Sequence, residues 1–282
     1  MVALGLTLIY GVLNQINFAH ADFVTAGAFT AFFTATRFAT KLLGLPDTGA
    51  YLLSMFAALG AGALLGLAVN AAVFAPLRDR GDELRPLIAT IGVSVLLENA
   101  QLALFGPIPY QFDSPFARET LRIGRIFFSA QSVLVVAVSA AAIAALYGFM
   151  RFTFLGKALR AVAQDRETAG LMGINPNLLI ALTIVIASAL AGMAGALLGP
   201  VLVLSPFAGA SVIVKAFAIV IIGGFGNMQG TILAGILVGV IEAFTVQYLG
   251  SGLIDLVVFA MLLLMLVLRP TGLIAERKEE NV

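Results

Sequence analysis

Two apolar runs, Ser132–Met150 and Leu178–Gly199, each close to the length a helix needs to cross a bilayer, flank a polar stretch from Arg151 to Asn177. A hydrocarbon core of about 30 Å takes about 20 apolar residues in helical form. Further apolar segments fall at Phe23–Thr40, Tyr51–Ala75, Leu87–Phe105, near Val212–Ile222, at Thr231–Leu249 and at Leu253–Leu268, after a first run at Val2–Leu13. Hydrophobic residues make up 61% of the 282 and charged residues only 11%, against roughly 25% charged in a soluble domain. The chain is therefore predicted to be an all-α polytopic membrane protein. About eight or nine membrane segments are expected, some short or re-entrant, in a single transmembrane domain over residues 1–282.

Composition also excludes several functions. The net charge is +1 and no basic patch stands out, so nucleic acid is not an expected partner, whereas membrane lipid is. With no cysteine and one histidine there is neither a thiolate metal site nor room for a histidine one, and no metal or cofactor is expected on this chain. The phosphate-loop pattern fails because Gly156-Lys157 is followed by Ala158, and neither a nucleophile elbow nor a zinc-protease motif occurs. No catalytic residue is assigned.

Within the central polar stretch, Lys157, Arg160, Gln164, Glu167 and Thr168 recur at spacings of three and four, which one helix would gather on a single face. Leu159, Val162, Ala163 and Ala169 fall on another. Gly170 and Gly173 loosen the helix, and Asn175-Pro176 ends it. The pattern reads as a short amphipathic helix on the membrane surface; a solvated loop is the alternative.

Polar groups also interrupt the apolar segments. Asn14, Gln15, Asn17, His20 and Asp22 interrupt the run after the first segment. Polar side chains at membrane depth must face protein or water, so this stretch is either a broken helix lining a pathway or a cytoplasmic turn. The first run, of twelve residues, is short of the bilayer, so either its helix continues through Asn14–Ala19 or the native start lies upstream. Glu98, Asn99 and Gln101 interrupt the fourth span, and Lys215 and Glu242 lie in the seventh and eighth segments. Lys215 is placed to neutralise Glu98 or Glu242, as part of a polar lining or as a structural ion pair. A short hairpin is predicted at Arg122–Phe128. Gly62/Gly66, Gly195/Gly199 and Gly235/Gly239 have the spacing of close helix contacts.

Basic residues set the orientation. With the C-terminus cytoplasmic, the loops at 76–86 and 151–177 and the tail hold ten basic residues, among them Arg78, Arg80, Arg85, Arg277 and Lys278. The opposite loops hold five, Arg37, Lys41, Arg118, Arg122 and Arg125.

Several stretches together resemble one family. GLTLIYGVLNQINFAHADF, LIATIGVSVLLENAQLALFG, GKALRAVAQDRETAGLMGINPNLLIALT, KAFAIVIIGGFGNMQG and LVLRPTGLI look like the permease subunits of branched-chain amino-acid ATP-binding-cassette importers, the H-type subunit in particular. The resemblance runs from residue 2 to about 274. It implies a bacterial inner-membrane permease that pairs with a second homologous permease. Two ATP-binding subunits below would consume ATP and Mg²⁺, and a periplasmic solute-binding protein would deliver a small hydrophobic amino acid or a related amide or urea compound. On this reading 151–177 is the cytoplasmic coupling loop, with Lys157, Arg160, Gln164, Asp165, Arg166, Glu167, Gly170 and Gly173 at the ATPase. Asn17, His20, Asp22, Glu98, Asn99, Lys215 and Glu242 are the candidates for the translocation pathway. Three departures stand out: family members usually carry a further apolar stretch before the first match; Asn227-Met228-Gln229 replaces a Ser and Pro pattern; and Glu98 stands where relatives often have glutamine. An ATPase-independent carrier or channel is the alternative, since broken polar segments also suit ion-coupled transport.

Overall fold

A computed structural model describes residues 1–77, 84–117, 119–123 and 126–274. Arg78, Arg80, Arg118, Arg125, Arg277 and Lys278, used above for orientation, lie outside the described residues. In chain order the helices begin with α1 (Val2–Leu13), α2 (His20–Phe33), which runs on as π-helix over Thr34–Leu42, and α3 (Asp47–Val69), which passes through a π segment at Asn70–Phe74 into α4 (Ala75–Leu77). Next come α5 (Leu84–Phe105) and the antiparallel hairpin of β1 (Thr120–Ile123) and β2 (Ile126–Ser129), in which Thr120 pairs with Ser129. The rest is α6 (Ala130–Phe152), α7 (Phe154–Gln164), α8 (Arg166–Leu171), α9 (Pro176–Leu198), α10 (Ala208–Gly223), α11 (Met228–Tyr248) and α12 (Ile254–Leu268).

The protein is an all-α polytopic membrane protein. Among the described residues six helices are long and apolar enough to cross a membrane: Asp47–Leu77, Leu84–Phe105, Ala130–Phe152, Pro176–Leu198, Met228–Tyr248 and Ser251–Leu268. Val2–Leu13 and Ala208–Gly223 are shorter apolar helices. The second segment starts at His20, three residues before the apolar run, and the predicted hairpin is present.

α1 is the centre of the bundle. Every residue of it is buried except Tyr10 and Gly11, and it packs against α9, α10, α11, α7 and α2. A helix that is apolar all round belongs in the interior. It does not continue through Asn14–Ala19: Asn14 takes a left-handed conformation, φ 54°, and its N–H caps the Tyr10 carbonyl. Asparagine is one of the few residues beside glycine that enters this region cheaply.

The bundle is tightest where α9 meets α2 and α3. Lipid supplies no hydrophobic force between helices, so association there depends on close packing through small residues. A Cβ on Gly192 of α9 would overlap the Ala58 carbonyl oxygen of α3, and one on Gly62 of α3 would overlap the Ser188 carbonyl oxygen of α9. The Gly62/Gly66 spacing therefore marks a true helix contact. Gly239 has no neighbour within van der Waals reach and Gly235 only the Ile219 side chain at 3.7 Å, so the same spacing in α11 does not.

At the end of the bundle away from the polar stretch, a buried polar network joins three helices. Gln131 Nε2 donates to Tyr51 Oη at 2.9 Å and to the Leu197 carbonyl at 3.2 Å. Tyr51 donates to the Ala196 carbonyl, and Ser114 to Gln131 Oε1 at 2.8 Å. Beside it Phe29 stacks on Phe105 and meets Tyr110 edge-on, and Tyr110 bridges Leu204 through paired backbone hydrogen bonds. The rings and this bridge tie the long 106–129 connection to the 199–207 loop at Leu204.

Candidate functional site

The central polar stretch folds as two short helices rather than one. Asp165 has an extended backbone, φ −154° and ψ 115°, so α7 ends and α8 begins on it. The predicted single face running from Lys157 to Thr168 is therefore broken. The apolar spacing carries on across the join, but the Asp165 carboxylate competes with the helix for its own backbone. Its Oδ1 accepts the N–H groups of Glu167 at 2.9 Å and Thr168 at 3.1 Å, and its Oδ2 accepts the Thr168 hydroxyl at 2.5 Å. This is a helix N-cap. The Thr168 hydroxyl, then the backbone N–H groups, hold the Asp165 carboxyl below the usual carboxylate range.

The ends of this unit are capped in the same way. Thr153 Oγ1 accepts the Gly156 N–H at 3.0 Å, and Asn175 Oδ1 accepts the Asn177 and Leu178 N–H groups at the start of α9. Gly173, at φ 82°, turns the chain between α8 and α9. One face of α7 is anchored: Ala158, Leu159 and Val162 are buried against the bundle. The other face is open. Lys157, Arg160, Gln164, Asp165, Glu167 and Gly170 are exposed, and so are the large apolar side chains of Phe152, Phe154, Leu171 and Met172. Apolar side chains grouped with charges in this way mark an interaction surface. Arg166 turns inward instead. Its Nη2 donates to the carbonyls of Val12 at 3.4 Å and Leu13 at 3.3 Å, at the C-terminal end of α1 where a cation opposes the helix dipole favourably.

A second polar group lies deeper. After Leu13 the chain turns back along α1 rather than staying at its end. The His20 ring rests on Gly5, where a Cβ would stand 2.7 Å from Nε2. Gly5 is eight residues, about 12 Å, back from the end of α1. α2 therefore begins inside the bundle, with Asp22 in its first turn. Gln101 of α5 donates to the Asp22 carbonyl at 3.4 Å, and Ser94 and Glu98 of α5 face the Asp22 carboxylate. Asn17, His20, Asp22, Thr25 and Gln101 are all buried. Yet Asn17 Nδ2, both His20 nitrogens, Asp22 Oδ2, Thr25 Oγ1 and Gln101 Oε1 have no hydrogen-bond partner among the described residues; the Val2 carbonyl faces the His20 ring without meeting hydrogen-bond geometry. On the same helix Glu98 is half-buried, whereas Asn99 is exposed, its amide folded back onto the Val95 carbonyl.

The structure separates the remaining candidates from this group. Lys215 of α10 pairs with Glu242 of α11 at 2.9 Å and lies 3.8 Å from Asp255 at the start of α12, so it neutralises Glu242 and not Glu98. The glycine-rich break at 223–230 packs on the chain's closing segment: Leu273 N–H donates to the Ile222 carbonyl at 2.8 Å, and Asn227 caps α11. Among the described residues no group of three or more His, Cys, Asp or Glu side chains is placed to hold a metal ion.

Residues 1–267 match the family described as branched-chain amino acid transport system / permease component. The chain belongs to that permease family. It is 35% identical over 288 residues to the high-affinity branched-chain amino acid transport system permease protein BraD of Pseudomonas aeruginosa, covering all of this chain and 93% of the relative. It is 33% identical to the corresponding LivH protein of Escherichia coli K12, covering all of this chain and 92% of the relative. A probable branched-chain amino acid permease, LivH of Methanocaldococcus jannaschii, is 28% identical over 89% of this chain and 78% of its own length. No solved structure matches the chain.

Within this permease, sequence reasoning missed Thr25 and Gln101 as members of the buried group. Gln101 was visible only as one more polar residue in a span, and Thr25 is too common in apolar helices to stand out. The join at Asp165 had a legible signal, an Asp followed by Glu and Thr at the second and third positions, which the continuing apolar spacing concealed.

Proposed function

We propose that this chain is the transmembrane permease subunit of an ATP-binding-cassette importer, forming half of a pathway for a branched-chain amino acid or a related small amide or urea compound. The observation that carries this reading is the α7–α8 unit, clamped to the bundle on one face and open, charged and apolar on the other. It is the lever on which a separate ATP-binding subunit presses. Lys157, Arg160, Gln164, Glu167 and Gly170 meet that subunit; Asp165 and Gly173 shape the joins; Arg166 passes the displacement to the end of α1. α1 runs from there to His20, so rigid movement of the lever reaches the broken-helix region, as in other rigid-element switches.

The pathway in this proposal follows the unpartnered polar group of Asn17, His20, Asp22, Thr25 and Gln101, at a helix break inside the bundle where transporters commonly bind solute. Glu98 and Asn99 carry it to the open face of α5, which a second homologous permease covers. Lys215 and Glu242 hold α10 to α11 and stand outside the pathway. The whole chain acts as one transmembrane domain in the inner membrane, with the lever and the C-terminus cytoplasmic. ATP and Mg²⁺ are used by the two partner subunits, and a periplasmic binding protein supplies the solute.

The test is uptake in proteoliposomes holding the full set of subunits. Charge reversal at Arg160 together with Lys157 is expected to uncouple ATP hydrolysis from uptake while the subunit stays in the membrane. Unchanged ATP-driven uptake in that double variant sinks the lever. Solute flux through the lone chain, driven by an ion gradient, would favour a carrier instead.

A further inference from the structure

A crevice of about 530 Å³ opens between α6, α7 and the start of α11, with α1 as its floor. That is within the usual size of a ligand site, and the buried polar group has no part in it. Donors line it from three directions: Arg151 at the end of α6, Arg160 on α7 and Gln229 in the first turn of α11. None of its lining residues is acidic. Among the described residues neither Arg151 nor Arg160 makes an ion pair.

Tyr147 sits at the middle of the donors. Its hydroxyl oxygen accepts from Arg151 Nη1 at 2.9 Å and from Gln229 Nε2 at 3.5 Å. With both lone pairs engaged, the phenol proton is left to donate outward. Arg160 gives one Nη1 proton to the Met150 carbonyl and keeps its remaining N–H groups. The N-terminus of α11 adds its positive end. Apart from Thr7 and Asn227, the rest of the lining is apolar, chiefly Leu8, Met150, Leu159 and Met228. Arg151 is where the apolar α6 gives way to the polar stretch, so the crevice lies at the boundary between hydrocarbon and headgroups.

We propose that this crevice binds the phosphate of an anionic glycerophospholipid, with the start of an acyl chain along its apolar wall. Arginine forks match phosphate oxygens bidentately, and basic pockets between membrane helices take anionic headgroups in this way. The absence of any acidic lining residue selects against an ammonium headgroup, so phosphatidylglycerol binds in preference to phosphatidylethanolamine. Arg160 belongs to the lever as well, but the readout here is bound lipid and not transport, so the two proposals fail separately.

Native mass spectrometry of the full chain, purified in neutral detergent and titrated with each lipid, tests it. Phosphatidylglycerol is expected to be retained about tenfold more tightly than phosphatidylethanolamine, the worth of one charge-assisted hydrogen bond or more. Arg151→Gln and Tyr147→Phe should each erase most of that preference, and Arg151→Lys should restore part of it. Arg151 is exposed and Tyr147 half-buried at the end of a peripheral helix, and unchanged thermal unfolding in lipid-free detergent verifies that the variants are folded. Equal retention of the two lipids overturns the proposal, as does an undiminished preference in the folded Arg151→Gln/Tyr147→Phe double variant. Displacement of the lipid by equimolar inorganic phosphate would overturn the assignment to lipid.

Discussion

Tyr51, Ser114 and Gln131, at one end of the bundle, are as deeply buried as Asn17, His20 and Asp22 further down it. The two groups are built to opposite rules. In the first, the Gln131 amide, the Tyr51 hydroxyl and the Ser114 hydroxyl satisfy one another and two carbonyls of α9. In the second, six polar atoms on five residues have no hydrogen-bond partner among the described residues. A buried polar atom left unpaired costs about 1–3 kcal/mol, so a cluster of them persists only where something other than stability requires it. The satisfied group is a lock between helices. The unsatisfied group is, under the proposed function, the place for water or solute.

The comparison breaks first at Tyr51. Tyr51→Ala empties a large site and orphans Gln131, and is expected to cost about 3–5 kcal/mol, read as loss of folded protein in detergent. Transport per folded molecule should change little. A variant that folds normally but no longer transports would show that the lock belongs to the pathway.

The next largest effect concerns the seam on which both groups depend. Gly192→Val drives a side chain into the α3 backbone and should cost about 1–3 kcal/mol by overpacking. Gly239→Val, in α11 with no close neighbour, should stay within about 1 kcal/mol of wild type, set by helix propensity alone. Equal costs at the two positions would mean that α3 and α9 do not meet as described.

At Thr25 stability and transport should part. Thr25→Val keeps the shape and removes a buried hydroxyl with no partner among the described residues, so folding should stay within about 1 kcal/mol of wild type or improve. Uptake should fall, by about tenfold if that hydroxyl makes one hydrogen bond to the moving solute. A loss of stability without loss of uptake would turn the cluster into a second lock.

The smallest effect lies at the lever. Asp165 is an exposed cap whose carboxyl is held low in the folded chain. A group with a depressed native pKa contributes its full stabilisation above its unfolded value, about 3.9, and loses it as pH falls through the lower native value. Protease sensitivity at the α7–α8 join should therefore rise below about pH 4. Asp165→Asn, which keeps a capping oxygen, should remove that pH dependence and leave the join intact at neutral pH.

Much of this was readable from the chain alone, because lipid imposes one-dimensional rules. Apolar length marked the six helices long enough to span, and Gly62 and Gly66 marked a helix contact before any helix was placed. The glycine spacing in α11 obeyed the same local rule and met only the Ile219 side chain, since a spacing says which face is smooth and not what lies against it. The partner of Lys215 was likewise a matter of three-dimensional register: Glu98 and Glu242 are equivalent as residues, and only the placement of α10 beside α11 distinguishes them. The depth of His20 depended on one left-handed Asn14, a backbone choice that apolar periodicity does not encode.

The glycine and serine seam of α9 against α2 and α3 has one more consequence. Interlocked leucines must change rotamers before one helix slides past another, whereas Gly62, Gly192 and Gly195 have no rotamers to reset. Friction along this surface comes from lost contact area alone, and its side-chain entropy is unaltered by a slip of an ångström or so. The most closely fitted contact in the bundle is thus also its natural slideway.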